Sequence, residues 1–388
     1  MNGNPSTPGH DGAEPHREAE PHGEQDGRPG LRTGFTTGAC ATAASLAAAR
    51  WLLRGAAADA VTIALPAGRH ARFDLIGHEH GDAWTACSVV KDGGDDPDVT
   101  HRAEIRARVW RGGGPGVTFE AGAGVGTVTR PGLGLEIGGP AINPVPRRMM
   151  AEHLTALAPE VVASDGLTVE VSVPNGEVLA KRTLNGRLGI VGGLSILGTT
   201  GIVIPYSTAA WRASVGQAVD VAAASGQRHV VLSTGGRSEQ FSQRLYDLPE
   251  VAFVEMGEFT GYALQRCAKQ GVTAVTLSGM IGKMSKIAAG HLMTHVAGNQ
   301  VDLDFLSELA YEVGAAPALV AEVRAANTAR HVQELALREG VHGLFRRIAE
   351  LVVDRGESLV GDALTLECLL FDFNGTVLGR ATSESWVR

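Results

Sequence analysis

Three short apolar runs, each followed by a helical stretch, constrain this chain more than any other feature of its sequence. The runs cover residues 229–233, 252–256 and 272–277. Helical stretches follow each of them, over residues 238–247, 259–270 and 283–292. Strands that alternate with helices form βαβ units, and βαβ units build a parallel sheet. A helical stretch at 207–225 precedes the first run, and several helices fill 302–355. The segment LTLECLLFDFNGTVLGR then reads as a terminal hairpin turning at Asn374-Gly375.

The first half has a different rhythm. Thr36 and Thr37 precede a long Ala/Leu run, which predicts an N-capped helix over 37–53. Strands are expected at 61–65, 71–76, 84–90 and 104–110, with the clearest alternation in EIRARVW. A glycine-rich stretch spans 112–139, followed by a helix over 146–157 and a strand over 167–173. This is an α+β pattern. A chain of 388 residues is long for one domain. The expectation is therefore an α+β domain at 31–206 followed by an α/β Rossmann-like domain with a parallel sheet at 207–388. Residues 1–30 are rich in Gly, Pro, Glu and His and carry almost no large apolar residue. Such a segment cannot offset its ordering entropy and is expected to be disordered. Its His10, His16 and His22 fit a solvated tail better than a metal site.

Charge and composition exclude several classes. The formal net charge is -8. Half of it comes from the tail, where Asp11, Glu14, Glu18, Glu20, Glu24 and Asp26 face only Arg17 and Arg28. A weakly acidic chain with 5% aromatic residues does not suit a nucleic-acid or anionic-membrane partner. Cys40, Cys87, Cys267 and Cys368 lie far apart without a CxxC pair, so no zinc or iron–sulfur site is expected and reduced, buried thiols are. No apolar run reaches 18 residues and the N-terminus has no apolar signal core, which points to the cytoplasm.

Ligands of open parallel sheets sit beyond the carboxyl ends of the strands. The three strand ends here read STGGRSEQ, EMGEF and SGMIGKMS. Thr234, Gly235 and Gly236 allow close backbone approach at a helix start, where amides meet an anion. Glu255 follows about twenty residues later, where an acidic side chain often accepts from ribose hydroxyls. With Gly257, Ser278 and Gly279 these residues fit a nucleoside-bearing ligand, S-adenosylmethionine or NAD alike, or else ordinary tight loops. Gly279 and Gly282 have two residues between them rather than four, so SGMIGKMS is not a P-loop. Lys283 and Lys286 remain as cations near a helix start, facing either ligand carboxylates or solvent.

Two other strings stand out. KDGGDDPDVTH packs Asp92, Asp95, Asp96 and Asp98 between residues 91 and 101. It is compatible with a divalent-metal loop, with a turn in which Asp side chains bind backbone amides, and with an acid or base near His101. GGPAINPVPRRMM places Asn143 as an N-cap, with Pro144 and Pro146 opening a helix and Arg147 and Arg148 in its first turn. Cations there oppose the helix dipole, which hints at a ligand anion; ordinary salt bridging is the alternative. A glycine-punctuated stretch at 192–207 carries Ser195, Thr199 and Thr200 and reads as a connection, a ligand wall, or both.

Taken together, TGFTTGACATAA (33–44), KDGGDDPDVTH (91–101), GVGTVTRPGLGLEIGGPAINPVPRRM (124–149), GLSILGTTGIVIPYS (193–207), STGGRSE (233–239) and IGKMSKIAAGHLMTHV (281–296) resemble the CbiD family of cobalt-precorrin-5B C(1)-methyltransferases. The resemblance implies a CbiD-like two-domain fold. It implies S-adenosylmethionine-dependent methylation of carbon-1 of cobalt-precorrin-5B, giving cobalt-precorrin-6A in oxygen-independent cobalamin biosynthesis. Cobalt then belongs to the tetrapyrrole substrate, and no protein metal site is required. The candidates for proton handling are Asp92, His101 and His295. Those for the carboxylate-rich substrate are Thr36, Thr37, Arg147, Arg148, Thr199, Thr200, Lys283 and Lys286. A homo-oligomer stays open. The rival readings are a nucleotide-dependent oxidoreductase and a non-catalytic carrier of a corrin intermediate.

Overall fold

The run after Thr36 forms helix α1 (Thr37–Arg54). Thr36 caps it, its Oγ1 accepting the Ala39 N–H at 3.1 Å, and a left-handed Gly55 ends it. Small side chains bury the helix from Thr37 to Ala49, so it lies close against two strands and helix α2 (Pro144–Leu157). The computed structural model describes residues 30–294 and 300–386. The tail expected to be disordered lies outside the described residues but for Gly30, as does His295.

The strands under α1 belong to a five-stranded sheet. A hairpin of β1 (Ala60–Ala64) and β2 (His70–Asp74) stands beside it. The sheet contains β3 (Ile76–His80), β4 (Trp84–Val90), β5 (Glu104–Arg111), β6 (Val117–Ala121) and β7 (Leu167–Ser172), in the order β3-β4-β5-β7-β6. Only β6 and β7 run parallel. In β5 the period-2 pattern turns Ile105, Ala107 and Val109 into the core. Arg106 and Arg108 face the other way and pair with Glu79 and Glu170. Strands β3 and β6 were not foreseen: IGHEH and VTFEA bury no residue, so neither shows an apolar face in sequence.

The second half contains α3 (Thr208–Ala224), β8 (His229–Ser233), α4 (Gly236–Gln243), β9 (Phe253–Glu255), α5 (Thr260–Lys269), β10 (Ala274–Met280) and α6 (Ile281–Ala288). It continues with α7 (Leu303–Glu312), α8 (Pro317–Arg324), α9 (Ala329–Arg338), α10 (Gly343–Val360), β11 (Thr365–Phe371) and β12 (Val377–Thr382). The sheet order is β9-β8-β10-β11-β12. The first four strands are parallel and β12 returns antiparallel to β11. The second half is thus mixed α/β with the parallel pairing its alternating pattern predicts, extended by the terminal hairpin. β10 runs past its apolar stretch because Ser278, Gly279 and Met280 pair with Leu369, Leu370 and Phe371.

The two halves have separate apolar clusters, but the second also takes in Val128, Ala141, Leu188 and Ile190 from upstream. Arg187 adds an ionic tie to the buried Glu239 at 2.5 Å. Glycine governs the first half at close backbone crossings. A β-carbon on Gly34 would stand 2.1 Å from the Gly93 carbonyl carbon, and one on Gly94 2.2 Å from Arg32 O. The crossing is closed by Phe35 N–H to Asp92 O at 2.7 Å and Asp95 N–H to Arg32 O at 2.9 Å. Backbone cannot yield as a side chain does, so Gly34→Ala should destabilise by about 1–3 kcal/mol. Gly235→Ala, whose new methyl meets nothing within 4 Å, should leave the melting temperature unchanged. Thermal unfolding of the pair checks this; equal melting temperatures would contradict it.

Candidate active site

Strands β8 and β10 are neighbours, and the chain leaves them in opposite directions. From β8 it runs to β9 at one edge, and from β10 to β11 on the other side. Divergent crossovers leave a crevice at the carboxyl ends of the two strands. Thr234 N–H to Ser278 O at 2.9 Å ties the crevice floor together. Helices α4 and α6 both begin there. Their N-cap residues, Gly235 and Met280, supply no side-chain cap. First-turn N–H groups without a cap attract negative charge. A cavity of about 840 Å³ opens at this place, within the range of small-molecule sites.

Its lining includes Gly235, Gly236 and Gly282. None of the three has a left-handed backbone. A β-carbon on Gly235 or Gly282 would meet nothing within 4 Å, and one on Gly236 would meet only Glu255 Oε2 at 3.7 Å. Neither conformation nor packing demands glycine here. What glycine provides is room for close approach to the backbone. Thr234 lines the same cavity and Glu255 stands beside it. The other three residues expected to hold a cofactor are closely packed against the protein. Gly257 has φ +60°, and its β-carbon would stand 2.2 Å from the Trp211 ring. Gly279 is enclosed by Thr234 Oγ1 and Met284 Sδ, both 2.6 Å from such an atom. Ser278 is buried, with its hydroxyl 2.8 Å from that of Ser233.

Lys283 and Lys286 line this cleft as well. Lys283 Nζ donates to Thr234 O at 2.5 Å. Burial pulls its pKa below the ordinary lysine value, with Glu255 and Glu258 opposing the shift. Lys286 is buried and reaches Thr294 O at 3.4 Å. Sequence reasoning missed Arg330, which lines the cleft from the start of α9 with its guanidinium 4.8 Å from the Phe373 ring centre. Arg330 and Phe373 lie in stretches without a motif, so no local signal marked them.

The acidic loop is a clamp. Asp92 takes both ends of the Arg32 guanidinium, one at 3.0 Å, and the Gly94 N–H at 2.9 Å. Those partners hold its carboxyl down at about 2. Asp95 accepts from Arg32 N–H at 2.7 Å, and Asp96 from Tyr206 N–H at 2.9 Å. Asp98 accepts from the buried Lys91 at 2.5 Å and from Thr100 N–H at 2.7 Å. Among the described residues no cluster suited to a metal exists. The amide-binding turn is the reading the geometry supports, with Asp92 paired to Arg32. His101 Nδ1 accepts the Gly93 N–H at 3.0 Å. A ring that accepts at Nδ1 carries its proton on Nε2, the edge left facing away from this contact.

Of the remaining first-half candidates, Thr36, Thr37 and Arg147 are held by hydrogen bonds, while Arg148, Thr199 and Thr200 are exposed. Thr36 caps α1, and Thr37 Oγ1 accepts Leu197 N–H at 2.9 Å. Arg147 spends its donors on Ile142 O at 2.8 Å and Pro140 O at 3.0 Å, and Phe119 covers its guanidinium. Asn143 sits at the N-cap position of α2 without a capping hydrogen bond. Arg148 is exposed beside Glu152 at 3.9 Å. Thr199 and Thr200 are exposed, and Thr200 bonds the backbone of Ile202.

A parallel-stranded α/β sheet carries an open-glycine cleft between two uncapped helix starts. The chain belongs to the CbiD family: the CbiD model matches residues 24–205, and the model of the CbiD C-terminal domain matches 293–382. A cobalt-precorrin-5B C(1)-methyltransferase from Salinispora arenicola is 50% identical over 364 residues, covering 92% of this chain and 94% of its own. One of the same name from Priestia megaterium is 47% identical, covering 91% and 97%. Another from Burkholderia thailandensis is 48% identical, covering 90% and 97%. The crystal structure of a cobalamin biosynthesis protein (cbiD) from Archaeoglobus fulgidus aligns at 24% identity over 80% of this chain and 85% of its own, with a TM-score of 0.37. Among the described residues no helix is long and apolar enough to cross a membrane, and all four cysteines are free and buried.

The Asp92 clamp has a pH signature. Its folded-state pKa lies below the unfolded value of about 3.9, so its contribution to stability is full above that value and is lost as pH falls towards 2. Asp92→Asn should therefore be less stable than the parent at pH 7, by a margin that narrows in acid. Denaturant unfolding across that range checks it, and a constant margin down to pH 2 would contradict it.

Proposed function

We propose that this chain is a cobalt-precorrin-5B C(1)-methyltransferase that draws its methyl group from S-adenosylmethionine and yields cobalt-precorrin-6A in oxygen-independent cobalamin biosynthesis. The names of its relatives at 47–50% identity over about nine-tenths of the chain support the reaction. One observation carries the cofactor: open glycines at 235 and 236 start an uncapped helix, with the Glu255 carboxylate beside them. That set matches a ligand with an amino-acid carboxylate at one end and a ribose near its middle. We read residues 207–388 as a Rossmann-like cofactor domain and 31–206 as a domain that shapes the corrin-precursor site. The reading places the enzyme in the cytoplasm.

S-adenosylmethionine supplies an electrophilic sulfonium methyl when bound. The chain's own residues orient the partners. Backbone N–H groups at the start of α4 receive the carboxylate, and Glu255 accepts from ribose hydroxyls. Lys283, Lys286 and Arg330 supply cations towards the acetate and propionate groups of the cobalt-bearing substrate. Placing nucleophilic carbon and methyl in line is where most of the rate should arise. His101, with its proton on Nε2, is suited to donating a hydrogen bond to a substrate oxygen.

Calorimetry should show S-adenosylhomocysteine binding and no NADH binding; the reverse result would overturn the cofactor in favour of an oxidoreductase. Gly236→Val should weaken S-adenosylhomocysteine by at least about tenfold, or ~1.4 kcal/mol, at unchanged melting temperature. Incubation with cobalt-precorrin-5B and methyl-labelled cofactor should raise the product mass by one methyl group. Bound substrate without that gain would favour a carrier.

A further inference from the structure

A second cavity, of about 320 Å³, lies against the outer edge of β9, the last strand of its sheet. Val251, Phe253, Val254 and Glu255 contribute to its lining. Trp211, Val215 and Ala218 of α3 form one wall, and Leu184 and Leu188 another. Arg187 holds that upstream segment in place through Glu239 at 2.5 Å and Glu250 at 3.2 Å. Glu255 links this cavity to the main cleft. It lines the smaller cavity, and its Oε2 lies 3.7 Å from the β-carbon position of Gly236, which lines the larger.

The backbone at this edge offers a specific pair of groups. Met256 N–H points inward to Ser233 O at 2.9 Å. Successive residues of a strand face alternate edges, so Val254 also bonds inward while Phe253 and Glu255 face outward. The Phe253 N–H is taken by Glu250 O. The Phe253 carbonyl and the Glu255 N–H remain: an acceptor and a donor two residues apart on one edge, beside apolar walls.

We propose that this cavity takes the adenine ring of the cofactor. The 6-amino group donates to Phe253 O, ring N1 accepts from Glu255 N–H, and the flat faces meet Leu188 and Val215. The ribose then falls at Glu255 and Gly236, and the amino-acid end runs to the start of α4. The proposal rests on the cofactor reading above and adds to it the base subsite and its hydrogen-bonding code.

The test compares S-adenosylhomocysteine with S-inosylhomocysteine by calorimetry on the unmodified protein. The inosine base reverses both donor and acceptor, so it should bind roughly ten- to hundredfold more weakly, the scale of one base contact. Ala218→Trp, which fills the cavity, should weaken S-adenosylhomocysteine to a similar degree. Equal affinity for the two ligands, together with full affinity in a folded Ala218→Trp, overturns the subsite. If Gly236→Val alone weakens binding, the cofactor reading survives and the adenine proposal falls. If neither substitution does, both fall. ATP binding as tightly as S-adenosylhomocysteine would assign the cavity to another adenine nucleotide and overturn its place in methyl transfer.

Discussion

Strands β8 and β10 pair from His229↔Ala274 to Ser233↔Ser278, and the chain departs from them towards opposite edges of the sheet. The candidate site depends on that divergence. It brings the starts of α4 and α6 to one crevice and leaves their first turns without side-chain caps. The Ser233–Ser278 hydroxyl contact and the Thr234 N–H to Ser278 O bond pin the two strand ends, so the crevice is held by the sheet itself. A site built this way needs little rearrangement to accept a ligand, which suits a reaction governed by the placement of two reactants.

The first half solves a different problem. Its recognisable strings meet one another in space. Residues 32–35 cross 92–95 with no room for a β-carbon at Gly34 or Gly94, Gly38 abuts Pro146 and the Leu197 carbonyl, and Asp96 reaches Tyr206. The Arg32–Asp92 pair and the buried Lys91–Asp98 pair fasten the same crossing. Asp92, Thr36, Thr37 and Arg147, all within these strings, each make hydrogen bonds that tie one segment to another or cap α1.

Legibility in sequence followed the range of the physical signal. β8 was readable to the residue because HVVLS is apolar and bounded by a turn. Gly235 and Gly236 drew attention in sequence because they sit where a strand feeds a helix, and both line the cleft. The tight surroundings of Gly257 and Ser278 come from a tertiary partner, Trp211 in one case and Ser233 in the other, and neither is visible locally. β3 and β6 were invisible because their side chains stay at or near the surface. The grouping of Lys283, Lys286 and Arg330 with the glycines needed the long excursion through α7–α10 to close over the sheet, and no local pattern encodes that. The edge of β9 is the extreme case, since its free carbonyl and N–H are set by which strand lies last in the sheet.

The most direct measurement is a crystal structure of the protein with S-adenosylhomocysteine bound. The account predicts density at the carboxyl ends of β8 and β9, with the amino-acid carboxylate at the first turn of α4 and the ribose against Glu255. Density in the first half instead, beside the Asp92–Arg32 pair and His101, would contradict it.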